Sequence, residues 1–357
     1  MSTATPVTAN ASAVNNPLNL RGIEFTEFCA PDGSSTNLDK LFWEFGFSKL
    51  RKHKQKDIVY YRQNDIHFLI NHDKGGFSAG FAKKHGPAIC SMGWRVDDAQ
   101  FAHDEAVRRG ARSANASAKD LPYPAIYGIG DSLIYFIDTF GDKGSIYDRE
   151  FVALDQPLVQ ADKGFQFVDH LTNNVHKGTM AQWSDFYKNV FGFYEVRYFD
   201  INGVKTGLTS YALRSPDGSF CIPINENKND KDQIAEYLRE YDGPGVQHLA
   251  FGTYDILDSL DKMVGTSIET LDIDDEYYAE VFDRVPNVIE DHERIRKHQV
   301  LVDGGEHGYL LQIFTRNLIG PIFIEIIQRK NELGFGEGNF GALFRSIEKD
   351  QERRGVI

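Results

Sequence analysis

The sequence has few cysteines, little positive charge and no long apolar run, and each shortage excludes a class of protein. Three cysteines at wide spacing (Cys29, Cys90 and Cys221) do not form the pattern of a disulfide framework or a zinc site. A formal net charge of -13 disfavours a nucleic-acid binder or a protein that docks on an anionic membrane, because both need clustered Lys and Arg. No apolar run approaches the roughly 20 residues that span a bilayer.

The N-terminal residues lack the basic start and the apolar segment of a secretory signal. Residues 1–17 carry mostly small polar side chains that cannot bury enough surface to become ordered, so they are predicted to form a mobile tail. The lack of a disulfide pattern predicts a reducing, cytoplasmic location. A length of 357 residues, of which 41% are hydrophobic, is enough for about two domains.

One pattern occurs twice along the chain and predicts two related domains. Each copy has an alternating strand, a helix with apolar residues at helical spacing, a Phe-Gly-Phe tripeptide and a further strand. The tripeptides are residues 45–47 and 191–193, and their glycine suits a left-handed helix C-cap. The pattern changes near residues 150–162, which is where we expect the domain boundary.

The two copies differ at three positions that could bind a metal ion. Aligning the halves pairs each candidate ligand of the second half with a residue that suits a metal less well: His170 with Glu27, His248 with Ser91, and Glu325 with Ile137. A duplicated domain that kept a metal site in one copy only would give this difference. The sequence therefore predicts a metal site in the second half.

The candidate ligands lie in segments with strand patterns. Glu325 lies in the segment PIFIEIIQ, where an ionised carboxylate is costly unless a cation pairs with it. Two imidazoles and one carboxylate form the facial triad of non-haem Fe(II) oxygenases, which leaves open positions for substrate and O2. The same set of ligands also builds catalytic zinc sites, so spacing alone leaves iron and zinc as alternatives.

From about residue 160 onward the chain resembles the 4-hydroxyphenylpyruvate dioxygenase family of the vicinal-oxygen-chelate superfamily. The matching stretches are DHLTNNV, RYFDINGVKTGLTS, IPINE, GVQHLAF, LLQIFT, FIEIIQRK and GFGEGNFGALFRSIE. The first half resembles the family's non-catalytic domain through YRQNDI, HGPAICSMGWRV and IYDREFV. The resemblance implies an α+β fold of two tandem domains built of βαβββ modules, residues 18–155 and 156–357, the second an open, barrel-like sheet around the metal.

The resemblance also implies a reaction. The family uses Fe(II), here bound by His170, His248 and Glu325, to convert 4-hydroxyphenylpyruvate and O2 to homogentisate and CO2 in tyrosine breakdown. No external 2-oxo acid is needed, because the substrate contains one. The family further implies a homo-oligomer, either a dimer or a tetramer.

Seven residues match the positions that line the family's substrate pocket. Phe314 and Phe340 correspond to two phenylalanines that flank the substrate ring. The polar residues at or near the phenol and chelating ends are Ser210, Asn225, Gln233, Gln247 and Gln312. A C-terminal helix over residues 338–354 is expected to close the pocket as a lid. The charged insertion at residues 265–308 has little clear periodicity.

Two alternatives bear on the function. Hydroxymandelate synthase shares the fold, the ligands and the substrate, but oxidises the benzylic carbon and carries a smaller aliphatic residue where Phe340 stands. Phe340 therefore favours the ring-hydroxylating branch. A metal-free binding protein on the same scaffold is the alternative from another class, and the intact triad argues against it.

Overall fold

The computed structural model describes residues 15–30, 38–202 and 207–356, which form two successive eight-stranded sheets with helices against them. The first half comprises β1 (Leu20–Cys29), α1 (Leu38–Glu44), β2 (Ser48–His53), β3 (Ile58–Gln63), β4 (Ile66–Asn71), α2 (Gly76–His85), β5 (Ala88–Val96), α3 (Ala99–Arg108), β6 (Ala125–Tyr127), β7 (Leu133–Ile137), α4 (Ile146–Glu150) and β8 (Phe151–Leu158). The second half comprises β9 (Phe165–Val175), α5 (Met180–Phe191), β10 (Tyr194–Asn202), β11 (Gly207–Arg214), β12 (Cys221–Asn227), α6 (Gln233–Glu240), β13 (Gly245–Thr253), α7 (Ile256–Met263), α8 (Asp275–Arg284), α9 (His292–Lys297), β14 (Leu301–Gly305), β15 (Gly308–Phe314), β16 (Phe323–Lys330) and α10 (Phe340–Arg353).

The second sheet is built from two βαβββ modules that meet at their first strands. Its strand order is β10-β11-β12-β9-β13-β16-β15-β14. β9 and β13 pair antiparallel at the centre, and each also pairs in parallel with the last strand of its own module, β12 or β16. The first sheet has the order β6-β7-β5-β1-β4-β3-β2-β8, with β1 and β5 at the centre. The predicted fold of two tandem α+β domains is confirmed.

Aromatic side chains join the two halves. Phe45, which follows α1, packs edge-to-face on Phe165 of β9 and Phe251 of β13, with ring centroids 6.1 and 5.5 Å apart. Trp94 of β5 packs in the same way on Phe191 at the end of α5, at 4.7 Å. Burying rings of this size stabilises an interface by several kcal/mol, so the first half supports the central strands of the second.

The C-cap of α5 agrees with the predicted role of its glycine. Gly192 has φ 79°, the left-handed conformation that costs glycine least. A Cβ at this position would collide with the backbone oxygen of Asn15. The close approach of the N-terminal segment therefore also requires glycine here.

The predicted tail is too long at its C-terminal end. Residues 1–14 lie outside the described residues, but residues 15–17 are placed against α5. The Asn16 side chain accepts from the backbone N–H of Leu20 at 2.8 Å and donates to its carbonyl at 2.9 Å. These hydrogen bonds anchor the segment just before β1.

The insertion at residues 265–308 contains regular structure that its charged composition concealed. It forms α8, α9 and β14, and β14 is an edge strand of the second sheet. The apolar face of α8 consists of Tyr277, Tyr278 and Val281, all buried. Within the described ranges no helix is long and apolar enough to cross a membrane.

Candidate active site

The three predicted metal ligands meet at the centre of the second sheet. His170 lies on β9, His248 on β13 and Glu325 on β16, and their exposed fractions are 2%, 8% and 3%. One carboxylate oxygen of Glu325 lies 3.0 Å from Nε2 of His170 and 3.3 Å from Nε2 of His248. The two Nε2 atoms are 3.3 Å apart. Three neighbouring strands thus bring together residues that are far apart in sequence.

The donor atoms fit a divalent metal ion. Atoms that each bind one ion at about 2.1 Å lie about 3.0 to 3.4 Å apart, depending on the ligand angle. The three observed distances fall in this range. Among the described residues, the only ion-pair partners of the buried Glu325 are the two imidazoles. A cation at this point would pair directly with this buried carboxylate.

Electrostatics in the cluster follow from burial and from proximity of the ligands. Burial opposes the charged imidazolium of His170, but Glu325 and Asp169 outweigh it and raise its pKa to about 9. Burial likewise opposes the charged carboxylate of Glu325, yet the two imidazoles lower its pKa to about 2. Burial is the larger effect on His248 and lowers its pKa. A metal ion must displace the His170 proton, because it binds neutral imidazole.

A β-bulge precedes each of the two histidines that are candidate ligands. In the pairing of β9 with β13, Ala250 faces His170 and Phe251 faces Val168. Asp169 therefore faces no residue of β13 and is the extra residue of a bulge. Gln247 is likewise the extra residue of a bulge on β13, directly before His248. Residues adjacent on a regular strand point to opposite faces, whereas a bulge re-aims one of them.

The bulged residues therefore reach the rings that follow them. An Asp169 oxygen lies 2.7 Å from Nδ1 of His170, and the Gln247 amide oxygen lies 3.1 Å from Nδ1 of His248. Both acceptors leave Nε2 of each ring to face the metal position. Nothing in the periodicity predicts this arrangement, since both residues would be assigned to the opposite face.

Arg329 is a further site residue that the sequence prediction missed. Its guanidinium donates to both oxygens of Asp169, with Nε at 2.7 Å and Nη2 at 2.8 Å. This bidentate ion pair holds the pKa of Asp169 well below its usual range, despite burial. Two signals were present: a carboxylate directly before a ligand histidine, and an arginine four residues after the ligand Glu325.

A cavity of about 150 Å³ lies beside the candidate metal position. Its lining combines aromatic and aliphatic side chains with amides and several hydroxyls, as small-molecule sites do, and it includes charged side chains such as Glu236, Asp350 and Arg354. Six of the seven predicted pocket residues line it: Ser210, Asn225, Gln233, Gln247, Phe314 and Phe340. Leu343 and Phe344 of the predicted lid helix also line it, as do Phe199 and Phe335, which were not singled out from the sequence.

Gln312 is the seventh predicted pocket residue and does not line this cavity. It is buried on β15, two residues before Phe314, and a Cβ on Gly336 would collide with its amide. Neither amide atom of Gln312 has a hydrogen-bond partner among the described residues. Gln312 therefore lies under the segment that leads into α10.

Three amides form a chain from His248 into the cavity. Besides facing Nδ1 of His248, the Gln247 oxygen accepts from Asn225 at 3.4 Å. The Gln247 nitrogen donates to Gln233 at the start of α6, also at 3.4 Å. Because these hydrogen bonds are long and join uncharged groups, the amides could exchange them for hydrogen bonds to a ligand.

Comparison with known proteins gives the family. Residues 14–152 match the family model described as hydroxyphenylpyruvate dioxygenase, N-terminal, and residues 168–296 match the glyoxalase, bleomycin resistance protein and dioxygenase superfamily. The chain is 70% identical to Protein MelA of Shewanella colwelliana over 96% of its length and 99% of that protein. It is 45% identical to a 4-hydroxyphenylpyruvate dioxygenase of Pseudomonas aeruginosa over 96% of its length and 98% of that protein.

The chain belongs to the 4-hydroxyphenylpyruvate dioxygenase family. It is a non-haem iron dioxygenase by this membership. Among solved structures it resembles a variant of 4-hydroxymandelate synthase from Streptomyces coelicolor, with a TM-score of 0.78 and 25% identity. That match covers 92% of this chain and 99% of the other.

The bulges also relate the dioxygenase's two halves and correct the alignment made from sequence. In the pairing of β1 with β5, the extra residues of the bulges are Glu24 and Cys90. The residue after each bulge occupies the position that a histidine holds in the second half. Phe25 therefore corresponds to His170, and Ser91 to His248 as predicted. The prediction of Glu27 at the first position is wrong by two residues.

The third ligand position was misaligned by the same amount. Ser91 faces Leu133 across the parallel pair β5–β7, whereas His248 faces Phe323 across β13–β16. Counting two residues onward makes Tyr135, not Ile137, the counterpart of Glu325. A shift of two residues keeps every side chain on the same face, so the alternating pattern could not reveal the error.

Glu27 instead forms a buried polar cluster in the first half of the dioxygenase. Its carboxylate accepts from Asn71 at 2.8 Å and from the Ser91 hydroxyl. Burial raises the pKa of Glu27 to about 7, against the effect of these two hydrogen bonds. The folded chain thus holds a proton between pH 4.5 and 7 that the unfolded chain releases, and the stability from Glu27 is lost as pH rises through this window.

Replacing Glu27 with glutamine is expected to reduce the loss of stability between pH 5 and pH 8. Glutamine keeps the shape, can accept from Asn71 and donate to the Ser91 hydroxyl, and does not ionise, so the difference from wild type should reach about 3 kcal/mol. Urea unfolding at the two pH values measures it. Glu306→Gln, at an exposed position, is the control and should follow wild type. A Glu27→Gln profile parallel to wild type would contradict the raised pKa.

The C-terminal helix of the dioxygenase covers the cavity. Its side chains Phe340, Leu343, Phe344 and Ile347 share one face and all line the cavity. At its other end, Gln351 donates to Glu236 of α6 at 2.8 Å, and Arg354 pairs with the same carboxylate. The helix α10 is thus attached to the element that begins with Gln233.

Proposed function

We propose that this dioxygenase converts 4-hydroxyphenylpyruvate and O2 to homogentisate and CO2, with Fe(II) held by His170, His248 and Glu325. The observation that supports the proposal is the buried His2Glu cluster in the wall of a largely apolar cavity. The relative from Pseudomonas aeruginosa bears the name of this activity and aligns along almost the whole chain.

The charge of the site favours a 2-oxo acid as substrate. Two neutral imidazoles, one carboxylate and a divalent ion carry one net positive charge. A monoanionic 2-oxo acid that chelates the ion makes the assembly neutral, which lowers the cost of burying it. When bound, Fe(II) supplies the electrons for O2 chemistry and holds substrate and O2 side by side.

The protein's own residues would bind and orient the aromatic end. Phe314 packs edge-to-face on His248, with ring centroids 6.3 Å apart, and Phe340 lies on the lid side of the cavity next to Phe199. We assign these two rings to holding the substrate's phenol between them. Neutral donors and acceptors at Ser210, Asn225, Gln233 and Gln247 would fix its orientation without adding charge.

Gln312 has a supporting role in this proposal. Its amide lies against Gly336 and would support the segment that leads into the lid helix. The lid helix would exclude water and protect the reactive centre from side reactions. Cytoplasmic location and assembly into a dimer or tetramer remain predictions.

Hydroxymandelate synthase activity is the second candidate, because a solved structure of that type shares this fold along nearly its whole length. Phe340 decides between the two in our proposal. Its ring occupies space beside Phe199 that a smaller residue would leave to the substrate. The substrate's ring carbon is then held towards the metal rather than its benzylic carbon.

The variant Phe340→Ile is therefore expected to change the product ratio. A shorter side chain lets the ring move by about an ångström or more, which can cost about a hundredfold in a positioned reaction. Homogentisate formation should fall at least tenfold, while 4-hydroxymandelate becomes detectable. Chromatography with mass spectrometry measures both products. Leu343→Ile, one turn along the same face, is the control and should retain homogentisate as the main product.

The proposal itself is tested by reconstitution. The purified chain is loaded anaerobically with Fe(II), given 4-hydroxyphenylpyruvate and O2, and its product identified. Homogentisate with an equal amount of CO2 is the expected result. 4-Hydroxymandelate would favour the second candidate, and bound iron with no O2 uptake would contradict both.

A further inference from the structure

The ion pair between Asp169 and Arg329 connects the candidate metal centre to the base of the lid. Arg329 uses Nε and Nη2 to bind both oxygens of Asp169, at 2.7 and 2.8 Å. Its remaining nitrogen, Nη1, donates to the backbone carbonyls of Glu332 at 3.2 Å and Gly334 at 2.6 Å. The side chains of Asp169 and Arg329 are only 10% and 15% exposed, so solvent screens this pair weakly.

Asp169 orients His170. Its carboxylate accepts from Nδ1 of the imidazole at 2.7 Å, which fixes the proton on that nitrogen and leaves the Nε2 lone pair for a metal ion. Asp169 is the extra residue of a bulge and faces no residue of β13. Its position therefore depends on the Arg329 contacts as well as on strand pairing. Arg329 thus stabilises the carboxylate in the place where it restrains the ring.

Arg329 also organises the segment that leads into α10. The carbonyls it binds belong to residues 332–334, directly before Phe335. The Phe335 ring lies 5.6 Å from the Arg329 guanidinium on one side and 5.5 Å from the His170 ring on the other. Phe335 lines the cavity, and Gly336 with φ 79° starts the turn into the lid.

We propose that Asp169 and Arg329 are positioning residues that couple metal binding at His170 to closure of the lid; this rests on the metal site of the proposed function. One guanidinium holds both the carboxylate that orients the ligand and the carbonyls that form the lid's base. Loss of Asp169 or Arg329 therefore loosens both the His170 ring and the base of the lid.

The first half of the chain provides an internal comparison. Glu24 occupies the equivalent bulge position and pairs with Arg95, whose Nε lies 2.6 Å from its carboxylate. The residue after Glu24 is Phe25, which cannot bind a metal. A buried bulge carboxylate paired with arginine therefore belongs to the scaffold of both halves, and only the second half connects it to a ligand. Glu24→Gln is the matched control.

Metal affinity is the first measurement. Asp169→Asn keeps the size of the side chain but loses its charge and one acceptor oxygen. Co(II) is titrated into the metal-free chain and its visible absorption gives the dissociation constant. We expect Asp169→Asn to weaken binding about 10- to 100-fold, the usual effect of removing such a partner. Glu24→Gln should bind Co(II) as wild type does, even if it unfolds more easily.

Hydrogen exchange of the lid's base is the second measurement. The backbone N–H groups of Gly334 and Phe335 donate to the side chains of Glu332 and Glu337, so their exchange reports on this turn. Arg329→Met keeps most of the apolar stem but cannot bind Asp169 or the carbonyls. We expect faster exchange over residues 332–339 and weaker Co(II) binding. The double variant should bind Co(II) about as weakly as one single variant, because the two residues act as a unit.

The outcomes separate this inference from the function on which it rests. A wild-type chain that binds neither Co(II) nor Fe(II) would contradict the proposed metal site. Unchanged Co(II) affinity in Asp169→Asn, with wild type binding normally, would overturn the positioning role alone. Unchanged exchange over residues 332–339 in Arg329→Met would overturn the coupling to the lid. If Glu24→Gln weakened Co(II) binding as much as Asp169→Asn does, the loss of affinity would reflect general loss of stability and would overturn the positioning role.

Discussion

Replacing Glu325 with glutamine is expected to abolish tight metal binding and to lower turnover at least about a thousandfold, since a catalytic metal contributes several kcal/mol. The carboxylate is the only anionic ligand of the three, and its oxygen lies 3.0 and 3.3 Å from the two Nε2 atoms. Glutamine retains the shape but removes the charge that balances the cation. The two imidazoles that remain offer too few ligands to fix the ion.

Metal content after anaerobic loading and O2 uptake with 4-hydroxyphenylpyruvate measure this effect. Glu27→Gln serves as the control, because Glu27 is equally buried at 0% exposed but lies in the first half, away from the three ligands. It should retain both iron and activity at neutral pH. A Glu325→Gln variant that still binds one iron per chain and turns over would refute the site.

A chain that ends at Asn339, and so lacks α10, is expected to keep its metal but to lose turnover by about a hundredfold or more. The helix supplies Phe340, Leu343 and Phe344 to the cavity wall, and Phe344 packs with Leu208 and Ile234. None of the three metal ligands lies on it. Without this helix the cavity opens to water and the substrate ring loses one of its two walls.

Circular dichroism, Co(II) titration and steady-state kinetics distinguish loss of the lid from loss of the fold. The matched control is a chain that ends at Gly355, which keeps α10 and the ion pair of Arg354 with Glu236. That chain should behave as wild type. Retained turnover in the shorter chain would contradict the role of the lid, whereas loss of the metal would mean that α10 supports the second sheet itself.

The sequence was sufficient for features that depend on local pattern or on distinctive motifs. The Phe-Gly-Phe tripeptides and the helical spacing around them predicted the duplicated architecture, because secondary structure imposes its period on apolar residues. Segments such as GVQHLAF and FIEIIQRK were specific enough to indicate His248 and Glu325 as candidate metal ligands. The helical spacing of four apolar residues in the sequence agrees with the face of α10 that lines the cavity, which consists of Phe340, Leu343, Phe344 and Ile347.

Features that depend on strand register were beyond the sequence. A bulge adds one residue to one strand, and the apolar-polar alternation continues before and after it. The pattern therefore could not show that Asp169 and Gln247 lie on the same side of the sheet as the histidines that follow them. The same limitation shifted the counterparts of His170 and Glu325 by two residues. Register is set by cross-strand hydrogen bonds, and these join segments with no fixed separation in sequence.

The amino-acid sequence by itself determined which residues could bind the metal, which helix would cover the site and to which family the chain belongs. Only the tertiary structure decided how those residues are held. Arg329 contacts Asp169 across 160 residues of chain, and Gln312 lies under Gly336 instead of in the cavity wall. The physical reason is that side-chain chemistry is local to a residue, whereas orientation and burial arise from contacts that exist only after the strands have paired.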